Sequence, residues 1–272
     1  MKHFLFAALV FLSFAATSQP ESLRGTWISA DNEMVVIQDT DTTSTNNYLT
    51  NENLISKGFR LEIYGDTLSF QSHYSSSAYD YEQTQVVRYD LLVQGHTDST
   101  LMVKPVSSLA KQFFDRRKPI RFTRREYIRD HDFALEKLVF RASRCFGTCP
   151  EMALAVTADR QLTMNATYFT GKSDVDKERS GSFTGQLDSA TYDSLVQVLV
   201  QSRITTLKMP EAELCCDGAV KTIIVHHNGQ RTAVKVMFAP AILHDLIDWL
   251  YRLPEQVPRT QVAHAFAIEE EP

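Results

Sequence analysis

KTIIVHH at residues 221–227, NG at 228–229 and TAVKVMF at 232–238 decide the reading of this chain. Asn-Gly supplies the positive φ values that tight primed turns require, so the segment reads as a β-hairpin. On its C-terminal side, Pro240 opens a last helix at a first position where its missing N–H costs nothing. Leu243, Leu246, Ile247 and Leu250 make the buried stripe of that helix, and Pro254 stops it. On the N-terminal side, Asp188 suits an N-cap, and Leu187 and Tyr192 have the spacing of a hydrophobic staple. Tyr192, Leu195, Val196 and Leu199 then recur at helical spacing. Further upstream, residues 152–157 and 162–168 alternate around Ala158-Asp159-Arg160-Gln161 and read as a second hairpin, with single strands at 138–141 and 182–187. The order strand, hairpin, strand, helix, hairpin, helix predicts an antiparallel sheet with two helices on one face, which buries both stripes.

Residues 22–127 read differently, as short strands. Candidates run over 23–29, 33–38, 60–64, 68–71, 85–93, 101–104 and 120–124, with a short helix near 107–114. The polar stretch between Asp39 and Asn53 reads as a surface loop. Close spacing with turn signals suggests a meander curled into a barrel or half-barrel. The fold class is therefore mainly β followed by α+β. Its first part, at Gly25-Thr26-Trp27 on the first strand, resembles the lipocalin-like families. The resemblance implies that Trp27 closes one barrel end and that an arginine of the last strand, Arg121 or Arg124, stacks on the indole. Trp27 with Arg124 is the pair expected here.

The 272 residues are 43% hydrophobic and 22% charged, with a net charge of -5, which is the composition of a packed globular protein. No basic field favours nucleic acid. At the start, Lys2 and His3 precede an apolar run over residues 4–16, then Ala16-Thr17-Ser18, so residues 1–18 read as a signal peptide cut after Ser18. The run is too short to span a membrane, which takes about 20 apolar residues. An exported protein, periplasmic or extracellular, is expected. The plan is a signal peptide at 1–18, a β region at 19–130, an α+β region at 131–255 and a flexible acidic tail at 256–272.

Export places the four cysteines in an oxidising compartment. Cys145-Phe146-Gly147-Thr148-Cys149-Pro150 lies between two strands, and Cys215-Cys216-Asp217 lies just before the Asn-Gly hairpin. Three readings compete. The first is structural disulfides: cross-links from 145 and 149 to 215 and 216, which on the chain-entropy account are worth roughly 3–5 kcal/mol for a long loop, or a local 145–149 bond within reach of one helical turn. The second is a soft-metal site that adds His226 or His227, of which at most one can serve because neighbours on a strand face opposite ways. That spacing is similar to the copper-delivering thioredoxin-like proteins of bacterial envelopes, although Pro150 leads here into a strand rather than a helix. The third is thiol redox chemistry, with Arg141 and Arg144 close to Cys145. Glu211, Glu213 and Asp217 read as solvated loop carboxylates, and Asn165-Ala166-Thr167 is a sequon of little weight. The chain carries no G-x-S-x-G, H-E-x-x-H, Walker or G-x-G-x-x-G pattern.

Residues from about 136 to 253 resemble a bacterial domain family of unknown function, DUF6438. The residues that carry this are the Cys145–Pro150 hexapeptide after a strand, Gly181-Ser182-Phe183-Thr184-Gly185 before the first helix, Asp217 ahead of a strand, Asn228-Gly229, and Ala239-Pro240 with Leu243. The family tends to have an aromatic where Met152 stands, and paired cysteines like 215–216 are not part of its pattern. The resemblance implies an architecture and no activity. The function expected is a non-catalytic binding or interaction protein of the envelope whose C-terminal region is held by disulfide. The alternative is a thiol-redox or soft-metal-binding protein. No cofactor is called for, no catalytic residue is assigned, and the partner classes left open are an envelope protein or a small apolar ligand inside the barrel.

Overall fold

The computed structural model describes residues 20–79, 81–209 and 216–270. The expected signal peptide, Cys215 and the carboxylates at 211 and 213 lie outside the described residues. The first eight strands are β1 (Gly25–Ser29), β2 (Met34–Ile37), β3 (Asn47–Thr50), β4 (Ser56–Tyr64), β5 (Thr67–Ser75), β6 (Thr84–His96), β7 (Thr100–Pro105) and β8 (Ile120–Arg124). Each pairs antiparallel with the next, and β1 also pairs with β8, so the meander closes into a barrel and leaves no edge. This is consistent with a lipocalin-like fold. Inside it, Trp27, Leu49, Phe59, Leu61, Phe70 and Phe122 are all buried. A short helix, α1 (Ser108–Phe113), is capped by Ser107, whose Oγ accepts from the Ala110 N–H at 3.3 Å, and Ala110 and Phe114 join the same interior cluster. These side chains make up the barrel's interior cluster.

One stretch differs from the sequence expectation. Residues 47–50 form β3 inside what reads as a polar loop, and bridge β2 to β4. Tyr48-Leu49 is too short an apolar pattern to register in sequence, and pairing on both sides supplies what composition lacks. At the barrel end, the Arg124 guanidinium lies 4.5 Å from the Trp27 ring centre and donates to the Ser22 carbonyl at 2.7 Å. The Trp27 indole N–H donates to the Leu23 carbonyl at 2.8 Å. Gly25 sits at φ 139, a region that side-chain-bearing residues rarely enter.

The second half is one antiparallel sheet of β9 (Leu135–Ala142), β10 (Glu151–Thr157), β11 (Gln161–Phe169), β12 (Val175–Gln186), β13 (Lys221–His227), β14 (Gln230–Val236) and β15 (Arg259–Val262), in the order β14-β13-β9-β10-β11-β12-β15. The Asn-Gly turn joins β13 to β14 with φ of 50 at Asn228 and 70 at Gly229. Two helices, α2 (Ser189–Gln201) and α3 (His244–Gln256), cover the inner face, where Phe140, Leu154, Met164 and Ile223 meet Leu195, Leu199, Leu246 and Leu250. Asp188 caps α2, its Oδ1 accepting from the Thr191 N–H at 2.7 Å. At α3 the ends shift. Pro240 leads into a single 3₁₀ turn over Ala241–Leu243 before the helix proper, and Pro254 sits inside the last turn. A proline there forfeits one terminal hydrogen bond and leaves the preceding turns intact.

The two halves share a core. Met34-Val35-Val36-Ile37 is buried on both faces. Val35 and Ile37 point into the barrel, while Ile28, Met34 and Val36 join the cluster under the helices. Ile128 is buried in the same seam, and its carbonyl accepts from Gln197 Nε2 at 3.1 Å. Arg125 pairs with Asp245 across it.

The C-terminal stretch, expected as a flexible acidic tail, lies against the sheet. Residues 259–262 form β15 against β12, and Phe266 and Ile268 lie on the outer sheet face with Val139, Ala155 and Ile224. The physical reason lies in the strands beneath. Runs such as Ile223-Ile224-Val225 are apolar at successive positions, so both faces of that sheet need cover.

Candidate binding face

The pleat turns odd positions of β9–β11 and even positions of β13 away from the helices, and the register lines them up in rows. One row runs Lys235, Thr222, Arg141, Ala153, Asn165, Ser182. The next runs Ala233, Ile224, Val139, Ala155, Thr163. A third holds Arg231, His226, Lys137 and Thr157. A central apolar row is thus flanked by two rows carrying cations.

Residues 264–270 cross these rows. Asn165 makes both main-chain bonds to Phe266: its Nδ2 donates to the carbonyl at 2.8 Å, and its Oδ1 accepts the N–H at 3.0 Å. Ser182 Oγ donates to the same Oδ1 at 2.9 Å and fixes the amide. Arg141 donates to the Ile268 carbonyl at 3.2 Å and to the Glu270 carboxylate at 2.9 Å. Glu269 receives Lys137 at 2.7 Å, His226 at 2.9 Å and Arg231 at 3.1 Å. Beside this strap, a groove of about 740 Å³ continues between Arg141–Ser143, Glu151–Ala153, Asn165–Thr167, Lys235 and the strap's own Phe266–Ile268 edge.

The Lys137 hydrogen bond, helped by Arg231 and His226 against a smaller opposing effect of burial, lowers the Glu269 carboxyl from its ordinary 4.5 to about 2. A carboxyl lowered on folding adds stability above its unfolded value, and this is lost as pH falls from 4.5 toward 2. Glu269→Gln is therefore expected to flatten the melting-temperature curve in that window. The difference at neutral pH should be on the order of 1–2 kcal/mol, allowing for solvent screening. Parallel acid limbs for the two proteins would show that Glu269 contributes nothing.

The sequence candidates separate in space. Cys145 and Cys149 bond to each other with Cα atoms 5.5 Å apart. The long-range cross-links to 215 and 216 are therefore not what forms, because Cys145 and Cys149 are bonded to each other. Cys216 is exposed at φ 66. Asp217 lies against the disulfide turn, its carbonyl accepting the Phe146 N–H at 3.0 Å. At the turn, Arg144 lies over the Phe169 ring at 4.5 Å and Lys172 over the exposed Phe146 ring at 4.0 Å. A five-residue loop gains less than a long one, so Cys145→Ser is expected to cost about 2 kcal/mol in urea unfolding, against the 3–5 of a long cross-link. A loss near 4 kcal/mol would contradict the local account.

The histidines take opposite faces and neither approaches Cys145 or Cys149. His226 reaches Glu269 on the outer face, and His227 is buried and stacks on Phe133 at 5.4 Å. Both sit at the far end of β13 from the disulfide turn, about 17 Å away at the usual strand rise. Among the described residues no group of three His, Cys, Asp or Glu is placed to hold a metal ion. A separate acidic cluster at the β1–β2 turn is occupied by Arg116, which stands 3.1 Å from both Asp31 and the fully buried Glu33. Burial pushes the Glu33 carboxyl up, partly offset by the Ser29 hydroxyl and by Arg116.

Sequence reasoning missed the outer face. Asn165 appears there only as a sequon, and Arg141 only as a neighbour of Cys145. The signal available was the outward alternation of β9–β11 read together with Phe266-x-Ile268.

Residues 136–254 match the family model described as Domain of unknown function (DUF6438), which spans β9 through nearly all of α3. The C-terminal sheet and its helices are thus similar to that family, as the hexapeptide and the Asn-Gly hairpin imply. The searches of curated proteins and of solved structures each found no match.

Proposed function

We propose that the protein is an exported binding protein and that its binding face is the outer surface of the C-terminal sheet. The apolar run at residues 4–16 with small residues at 16–18 supports export, and so does the Cys145–Cys149 bond, because disulfides persist in oxidising compartments. The observation that carries the binding reading is the groove of about 740 Å³ beside the strap, walled by Arg141, Asn165 and Lys235. Concave surfaces with a few convergent polar groups are where ligands and partners settle.

The test expresses the full chain with its own N-terminus in a bacterial host with two membranes, with a photo-reactive phenylalanine analogue at Thr167 in the groove or at Thr97 on the barrel. A mature chain starting at Gln19 outside the cytoplasm, with a discrete adduct at 167 that is absent at 97 and lost with Arg141→Glu, is expected. An uncut chain retained in the cytoplasm overturns the export reading, and identical labelling at both positions overturns the binding face.

A further inference from the structure

We propose that the outer sheet face docks an acidic peptide of a partner protein, and that the chain's own residues 264–270 sit there as a built-in competitor. This rests on the binding-face reading above. The strap displays what the face recognises. Asn165 holds one residue by both its N–H and its carbonyl, at 3.0 and 2.8 Å, which any amino acid other than proline would satisfy. Arg141 takes the next carbonyls along, at 3.2 Å from Ile268 and 3.5 Å from Glu269. These contacts read a backbone that turns once at residue 267, where the Ile268 N–H donates to the Phe266 carbonyl at 3.1 Å, and they come from side chains on a sheet face rather than from a strand edge. Selectivity comes from what lies between them. Two apolar side chains, one residue apart, meet the row of Val139, Ala155 and Ile224. A carboxylate directly after them meets Lys137, His226 and Arg231 together, and a second meets Arg141. The motif is apolar-x-apolar-acid-acid.

Two features favour an exchangeable occupant over a permanent one. Residues 263–270 make no strand pairing of their own, so side chains alone hold the strap. The face is also larger than the strap, since the groove runs on past Asn165 and Thr167 to Ser143 and Glu151 and leaves room for flanking residues of a longer ligand. Facing the ligand from every neighbouring strand are Lys137 and Arg141 of β9, Glu151 of β10, His226 of β13, and Arg231 and Lys235 of β14, a cationic balance that suits an acidic segment.

A fluorescent peptide with the sequence of residues 263–272 tests this by anisotropy on the full-length protein. In the wild-type chain the tethered strap competes at an effective concentration of about millimolar, so the peptide should bind weakly. Ile268→Ser with Glu269→Gln loosens the strap, and affinity for the peptide should rise about tenfold or more. Adding Asn165→Ala or Lys137→Glu to that variant should abolish binding, and a scrambled peptide should not bind. No binding to the loosened variant, with its melting temperature within a few degrees of wild type, overturns the proposal. If that variant does not fold, hydrogen exchange of the strap amides in the wild-type chain under 1 mM peptide decides: faster exchange supports displacement and unchanged protection overturns it. A concentration-dependent dimer in which straps swap between copies also overturns it, assigning the face to a second copy. Groove labelling at Thr167 that persists without peptide binding sinks only this inference, whereas loss of both sinks the binding face itself.

Discussion

Replacing Trp27 with alanine is expected to lower the unfolding free energy by about 3–5 kcal/mol, the range for removing a large aromatic from a packed core. Trp27 is fully buried, its indole N–H is satisfied by the Leu23 carbonyl, and one face of its ring carries Arg124. Truncation leaves a cavity at the point where β1 and β8 close the barrel, so neighbouring side chains cannot collapse into it without opening the β1–β8 pairing. Arg124→Ala keeps the core and loses only the stack and one bond to the Ser22 carbonyl, so its cost should be nearer 1 kcal/mol. Urea unfolding of both variants checks the ratio. Equal costs would mean that the stack, rather than the buried ring, holds the barrel end.

The second large effect concerns the seam. Val36→Asp puts a carboxylate among Ile28, Met34 and the residues beneath α2 and α3, where Val36 is now only 6% exposed. The loss combines about 2 kcal/mol of apolar burial with the larger penalty of an unpaired buried charge, so more than 4 kcal/mol is expected. The barrel interior stays intact, because Val35 and Ile37 face the other way. Calorimetry should therefore show one transition in the wild type and two in the variant. A single transition in both would mean that the halves are coupled through the linker contacts of Arg125 and Ile128 rather than through the apolar seam.

Legibility followed range. The Asn228-Gly229 hairpin, the Asp188 cap and the stripes of α2 and α3 each depend on residues within a turn or two, and all stand where the pattern puts them. The seam was half legible. Met34-Val35-Val36-Ile37 is apolar without alternation, which marks a strand buried on both faces but does not say what covers the second one.

Local chemistry alone therefore settled which segments become strands and helices, and where most of them turn, because each such choice is made by neighbours a few bonds apart. The three-dimensional packing decided the rest. It made β3 a strand, closed the barrel around its own side chains and laid residues 264–270 over Val139, Ala155 and Ile224. Those outcomes are competitions between segments remote in the chain, won by whichever pairing buries the most apolar surface with its polar groups satisfied, and no local pattern records the losing partners.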